Sequence, residues 1–166
     1  MLNSQSKPAK LASIPLDARS QLNGKHILAE FWQCQCVPEL LTQTQPLLDT
    51  LIQAVAKEGL TLVGHAAHEF QPLDSENIEK DAVERASQTQ SSGVTLTLLL
   101  AESHLCLHTW GEQQTVTLDV YVCNVTEDNS DKAEALFTAC LNIFAPAQYH
   151  SQQVIRQHQL SAADYD

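Results

Sequence analysis

Gly93-Val-Thr-Leu-Thr-Leu-Leu-Leu-Ala101, the pair Glu102-Ser103, His104-Leu-Cys-Leu-His-Thr-Trp110 and Thr115-Val-Thr-Leu-Asp-Val-Tyr-Val-Cys123 make up the densest strand-forming part of the chain. Aliphatic and β-branched residues alternate with polar ones, and short breaks fall at 102–103 and 111–114. The run predicts three strands in an antiparallel meander. Successive strand side chains point to opposite faces, so parity sorts each strand into two sets. Val94, Leu96, Leu98 and Leu100 make one face aliphatic, continued by Leu105 and Leu107 and by Val116, Leu118, Val120 and Val122. The other face carries His104, Cys106, His108, Trp110, Tyr121 and Cys123, besides Thr95, Thr97 and Asp119. A solvated sheet face ordinarily carries Lys, Glu and Thr. Histidines, cysteines and aromatics there predict a lined site or an interface.

Working outward, His26-Ile-Leu-Ala-Glu-Phe-Trp32 has strand composition, ended by Cys34-Gln-Cys36-Val-Pro38. Leu40, Leu41, Leu47, Leu48, Leu51, Ile52 and Val55 recur at three- and four-residue steps, the stripe of an amphipathic helix closed by Gly59. Leu60 to Phe70 reads as a further strand. Downstream, Ala133, Leu136, Phe137, Cys140, Leu141 and Phe144 mark a second helix, opened by Asn129-Ser130-Asp131 and stopped before Pro146. Gln148 to Gln159 reads as an edge strand. The polar residues 1–23, with Pro8 and Pro15, read as a mobile tail, and the polar segment 73–92 as an insertion in a single domain spanning 24–166. The expected fold is α+β: a two-layer α/β sandwich, its mainly antiparallel sheet covered on one face by two amphipathic helices.

The chain has 166 residues, with nine Lys+Arg against twenty Asp+Glu and a net charge of −11. That balance argues against nucleic acid or an anionic membrane as partner, since phosphate binding depends on cationic side chains, and it suits a cationic ligand. No apolar run reaches the roughly 20 residues of a membrane helix. Five cysteines without paired spacing, and no secretory h-region, place the chain in the reducing cytoplasm.

Two familiar chemistries fit the reactive face poorly. His104 and His108 are four residues apart on one strand, so their Cα atoms lie roughly 13 Å apart, too far to share a zinc ion, and Cys34-x-Cys36 has no matching second pair. No metal is expected. A Ser103/His108/Asp119 hydrolase is conceivable, but no nucleophile-elbow motif surrounds Ser103.

The run Gly93 to Trp110, with Ala101-Glu-Ser-His104 and His108-Thr-Trp110 at its centre, then Glu112 and Asp119-Val-Tyr-Val-Cys123, resembles the prokaryotic pyruvoyl-dependent S-adenosylmethionine decarboxylase proenzymes. Gly24 to Phe31 is similar to that family's opening strand, and His68-Glu-Phe70-Gln-Pro72 to the end of its second. The similarity covers about residues 24–158. Each of these side chains alone would be unremarkable packing. In this order and at this spacing they form a specific signature.

The resemblance implies that Ser103 is the precursor of the cofactor. Its hydroxyl attacks the Glu102 carbonyl to give an ester, and β-elimination then releases chain 1–102 and leaves a pyruvoyl group at the head of chain 103–166. A strained peptide at the hairpin would favour the acyl shift. By the same resemblance His108 is the processing base, Thr95 the hydroxyl that assists it, and Cys123 the general acid that protonates the substrate carbon after CO₂ leaves. Phe70 and Trp110 match aromatic substrate contacts, suited to a flat adenine and a sulfonium, and Glu112 matches the acidic contact to ribose. The pyruvoyl ketone serves as electron sink through a Schiff base with the substrate amine. The implied activity is decarboxylation of S-adenosylmethionine for spermidine and polyamine biosynthesis, by a homodimer of two-chain protomers with active sites near their interface.

The substrate-side loop departs from the family pattern. Gly111 stands for Pro, Gln113-Gln114-Thr115 for a Tyr-Gly-Tyr stretch, Cys106 for Ser or Thr, and Asn124 for Gly. Pyruvoyl-dependent arginine or ornithine decarboxylation, and an unprocessed ligand-binding paralogue, are the alternatives these departures leave open.

Overall fold

Strands β3 (Gly93–Leu100), β4 (Ser103–Trp110) and β5 (Thr115–Val122) pair antiparallel in the computed structural model, which describes residues 23–70, 92–124 and 127–157. Leu100 and Ser103 face each other across the tight turn at Ala101-Glu102. β1 (Gly24–Cys34) adds to β5, β6 (Pro146–Arg156) adds to β1, and β2 (Leu62–Phe70) adds to β3. The result is one six-stranded antiparallel sheet of order β2-β3-β4-β5-β1-β6. β6 is an edge strand, as its composition predicts, although it begins and ends earlier than expected. The expected tail 1–23 and insertion 73–92 lie, except for Asn23 and Ser92, outside the described residues.

The parity argument holds strand by strand. Val94, Leu96, Leu98, Leu105, Leu107, Val116 and Val120 are buried, while Thr97, Cys106, Asp119 and Tyr121 between them are only partly covered. Helices α2 (Thr44–Lys57) and α3 (Ser130–Phe144) lay Leu47, Leu51, Val55, Leu136, Cys140 and Phe144 on the aliphatic face, and strand and helix side chains form one continuous core. Water leaves apolar surface on both layers at once, at roughly 25 cal/mol per Å² buried, which drives the sandwich together. The α+β two-layer expectation is met.

One correction concerns the helices, which among the described residues number three rather than two. The stretch read as one helix is α1 (Glu39–Thr42) and α2, separated at Gln43, whose φ of −123° and ψ of 130° are extended. Pro46 explains the break. A proline has no N–H to give the carbonyl four residues back, so a continuous helix would lose a bond there; restarting at Thr44 places Pro46 in the first turn, where N–H groups have no helical partner. The apolar periodicity spans the break because Leu41 and Leu47 both reach the core.

Glycine is required at position 93. A Cβ there would sit 2.0 Å from the Thr109 carbonyl oxygen on the adjacent strand. The close approach lets Thr109, a buried hydroxyl, accept from the Val94 N–H at 2.8 Å and donate to the Leu41 carbonyl at 2.6 Å. That residue thereby joins β3, β4 and α1.

Candidate active site

Thr95, His108 and Trp110 lie on the helix-free face of the sheet, while Ser103 heads β4 opposite Leu100 and Val122, and the signature residues fall into two groups. The first lies at the β3–β4 turn. Glu102 and Ser103 sit there, and the Cys123 N–H, just past the end of β5, donates to the Glu102 carbonyl at 2.8 Å. The Ser103 hydroxyl meets His104 Nδ1 at 3.2 Å. The Glu102 carboxylate accepts from the Thr61 N–H at 3.0 Å, while Ala101 N–H donates to the Thr61 carbonyl at 2.8 Å. Burial pushes the Glu102 pKa up, but the Thr61 hydrogen bonds outweigh it and leave the carboxyl below its usual range. The peptide between Glu102 and Ser103 is thus anchored from both neighbouring strands. Ser103 is one of the described non-glycine residues with positive φ, at 157°, on the border of the extended region.

The second group lies at the opposite ends of β3 and β4. Thr95 and His108 are ladder partners, Oγ1 to Nδ1 2.8 Å. With Phe70, Thr109 and Trp110 they line a pocket of about 160 Å³. The His108 and Trp110 rings are 6.2 Å apart, and His68 stands edge-on to Phe70 at 4.7 Å. Glu112 is close by in chain and accepts from the Ser92 N–H at 3.1 Å. A half-buried Trp, an exposed Phe and a hydroxyl-anchored imidazole provide flat apolar surface beside one polar acceptor, which suits a planar heterocycle or a soft cation.

A single protomer does not unite the two groups. Ser103 and His108 are five residues apart on one strand, about 16 Å at strand spacing. The pocket is also smaller than the roughly 300 Å³ at which ligand sites begin.

Sequence reasoning put His104 on this face but gave it no role. The structure packs its ring against Tyr121 (5.6 Å between centroids) and His26 (6.3 Å), with His26 Nε2 3.2 Å from the Asp119 carboxylate and the Arg156 guanidinium 4.8 Å over the Tyr121 ring. Burial, then the neighbouring His26, lowers its pKa below 6.5, although Asp119 opposes them. The signal available in the sequence was adjacency to Ser103. Asn124, the departure from the family's Gly, is buried and ties Asn23, Asn129 and Ser130 together, so it secures the loop that follows Cys123. Among the described residues, no three His, Cys, Asp or Glu side chains converge as a metal site would need. No helix there is long and apolar enough to cross a membrane.

Comparison with known proteins places this geometry. Residues 25–157 match the S-adenosylmethionine decarboxylase family. The S-adenosylmethionine decarboxylase proenzyme of Archaeoglobus fulgidus is 31% identical over 76% of this chain and 90% of its own. Its namesake from Thermosipho africanus is 27% identical over 80% and 83%, and S-adenosylmethionine decarboxylase proenzyme 2 of Bacillus cereus is 29% identical over 80% and 88%. The crystal structure of the Aquifex aeolicus adenosylmethionine decarboxylase superposes with a TM-score of 0.64 at 24% identity, over 84% of this chain and 94% of that one, which establishes a shared fold. With the signature read from the sequence borne on that fold, the chain belongs to the S-adenosylmethionine decarboxylase family.

Proposed function

We propose that the chain is a self-processing decarboxylase of S-adenosylmethionine, cut between Glu102 and Ser103 and acting in polyamine biosynthesis. The observation that carries this reading is the Glu102–Ser103 peptide itself. At this bond a serine hydroxyl, a backbone N–H on the preceding carbonyl and a neighbouring imidazole meet. A pyruvoyl group at position 103 fits these surroundings, because the turn ends at that residue and Cys123 adjoins it. When formed, its ketone supplies the electron sink that no amino-acid side chain offers for decarboxylation. Thr95 fixes the His108 ring for proton removal during processing. The Cys123 thiol delivers a proton to the substrate carbon, and Phe70, Trp110 and Glu112 hold the adenosyl end.

The working unit is a homodimer of such protomers. The helix-free face exposes Trp32 (40%) and Leu99 (48%), and Val154 shares it by its register with His26. A two-fold axis lying in such a face and running across β4 would bring the Ser103 end of one sheet to the His108 end of the other, closing the 16 Å gap estimated from strand spacing and enlarging the pocket. The five cysteines are free, in keeping with a cytoplasmic enzyme. The charge of −11 suits a sulfonium- and ammonium-bearing substrate.

Intact mass of the purified protein tests the reading. Two chains, 1–102 and 103–166, are expected, the second blocked to N-terminal sequencing; an uncut chain with an ordinary Ser103 overturns it. Labelled CO₂ release from S-adenosylmethionine, arginine and ornithine, run side by side, then assigns the substrate, and release from either basic amino acid alone overturns the assignment to S-adenosylmethionine.

A further inference from the structure

His108 is too distant, within its own protomer, to touch the Ser103 hydroxyl, yet an acyl shift needs that hydroxyl to lose its proton as it attacks. The group in contact is His104. We infer that His104 is the base for the first step of self-cleavage, taking the Ser103 hydroxyl proton on Nδ1 while the Cys123 N–H holds the oxyanion that forms on the Glu102 carbonyl oxygen. The inference rests on the self-processing reading above and assigns to one protomer the step that precedes elimination.

The step balances within the chain. As the Oγ–C bond to Glu102 forms, the hydroxyl proton passes to Nδ1 and the carbonyl π pair moves to oxygen, where the Cys123 N–H already lies at 2.8 Å. Collapse of the tetrahedral centre breaks the C–N bond between Glu102 and Ser103, and the departing nitrogen takes the proton from Nδ1. An ester on Ser103 Oγ and a free amine remain; nothing is oxidised or lost. His108 then acts on the ester.

The surroundings keep His104 able to accept. Its ring is partly buried and faces His26 from β1, Asp119 and Tyr121 from β5 and Arg156 from β6; its partner across β3 is Leu99, which does not titrate. Two cationic or potentially cationic neighbours outweigh one carboxylate, which itself is engaged by His26. Burial first, then His26 and Arg156 against Asp119, lower the pKa from its ordinary 6.5 and favour the neutral ring, whose Nε2–H tautomer presents Nδ1 as the acceptor the step requires.

The test separates the two steps by trapping the ester. In His108→Ala the ester is expected to persist, and hydroxylamine then cuts the chain at 102/103. Adding His104→Gln is expected to slow ester formation on the order of 10²-fold, the scale of a general base, and His104→Gln alone to slow cleavage equally with no hydroxylamine-labile species. Ester forming at an undiminished rate in the double variant overturns the assignment while leaving self-processing intact. Failure of His108→Ala to form any ester, with wild type uncut, overturns the functional reading instead. Should Gln at 104 prevent folding, the pH profile of ester formation in His108→Ala decides: a rate that holds steady through the ordinary histidine range and falls only at lower pH, as the lowered His104 pKa is passed, is expected, and a flat profile overturns the role.

Discussion

Thr95 Oγ1 and His108 Nδ1 stand 2.8 Å apart as direct partners in the β3–β4 ladder. Strand pairing alone fixes the imidazole's orientation, because the contact joins two residues whose register the buried Leu96–Leu107 pair beside them enforces. Thr95→Val removes the hydroxyl and keeps the β-branched shape. We expect elimination to slow on the order of 10²-fold, the cost of misplacing a reacting group, with ester accumulating and Thr95→Ser restoring cleavage. A time course of the two chains on a denaturing gel measures this.

Cys123→Ala separates backbone from side chain. The N–H that meets the Glu102 carbonyl belongs to the main chain and survives the substitution. Cleavage is therefore expected at close to the wild-type rate, while CO₂ release is expected to fall by about 10²- to 10⁴-fold for loss of the proposed general acid. Full turnover by the cut variant would show that another group protonates the substrate.

Mixing variants tests the shared site. Neither Ser103→Ala nor His108→Ala is expected to cut itself, but in the proposed dimer a mixed pair gives the His108→Ala chain its own Ser103 and a partner's His108. Co-expression is expected to cut about half of the His108→Ala chains, the share in mixed pairs on random two-fold assembly. No cut chain in the mixture would place both residues' action within one protomer.

The Glu102 carboxylate sets a pH dependence. Its folded pKa lies below the usual 4.5 because the charged form accepts from the Thr61 backbone, so the unfolded state binds the proton more readily. The stabilisation is present above pH 4.5 and is lost as pH falls through the lowered folded value. In a Ser103→Ala background, Glu102→Gln is expected to melt below its parent at neutral pH and to converge with it in acid. Parallel melting curves at every pH would show that the contact contributes nothing.

Gly93→Ala tests the β3–β4 approach. The added methyl meets backbone rather than a side chain that could turn aside, so the strands must part. Overpacking of this kind costs about 1–3 kcal/mol, readable by urea denaturation, and the spread ladder is expected to weaken the Thr95–His108 contact and slow cleavage as well.

Much of this was legible from residue order. Alternation across 93–123 fixed which side chains share a face, because strand geometry has a period of two wherever it occurs. The site residues were legible for a different reason, the resemblance of an ordered signature to a family. The break at Gln43 was masked because Leu41 and Leu47 continue the apolar stripe across it, and only the placement of Pro46 in a first turn reveals it. His104 was overlooked because parity assigns a face and not a contact.

The sequence by itself determined the sheet's two faces, the signature centred on Ser103 and the charge that suits a cationic ligand. Those properties follow from local chain geometry and side-chain chemistry. Tertiary structure decided that Cys123 reaches the Glu102 carbonyl, that His104 rather than His108 touches the Ser103 hydroxyl, and that the two halves of the site lie at opposite ends of β4. Those depend on the register between strands, which is set by how the whole aliphatic face packs against the helices and is written in no single stretch of the chain.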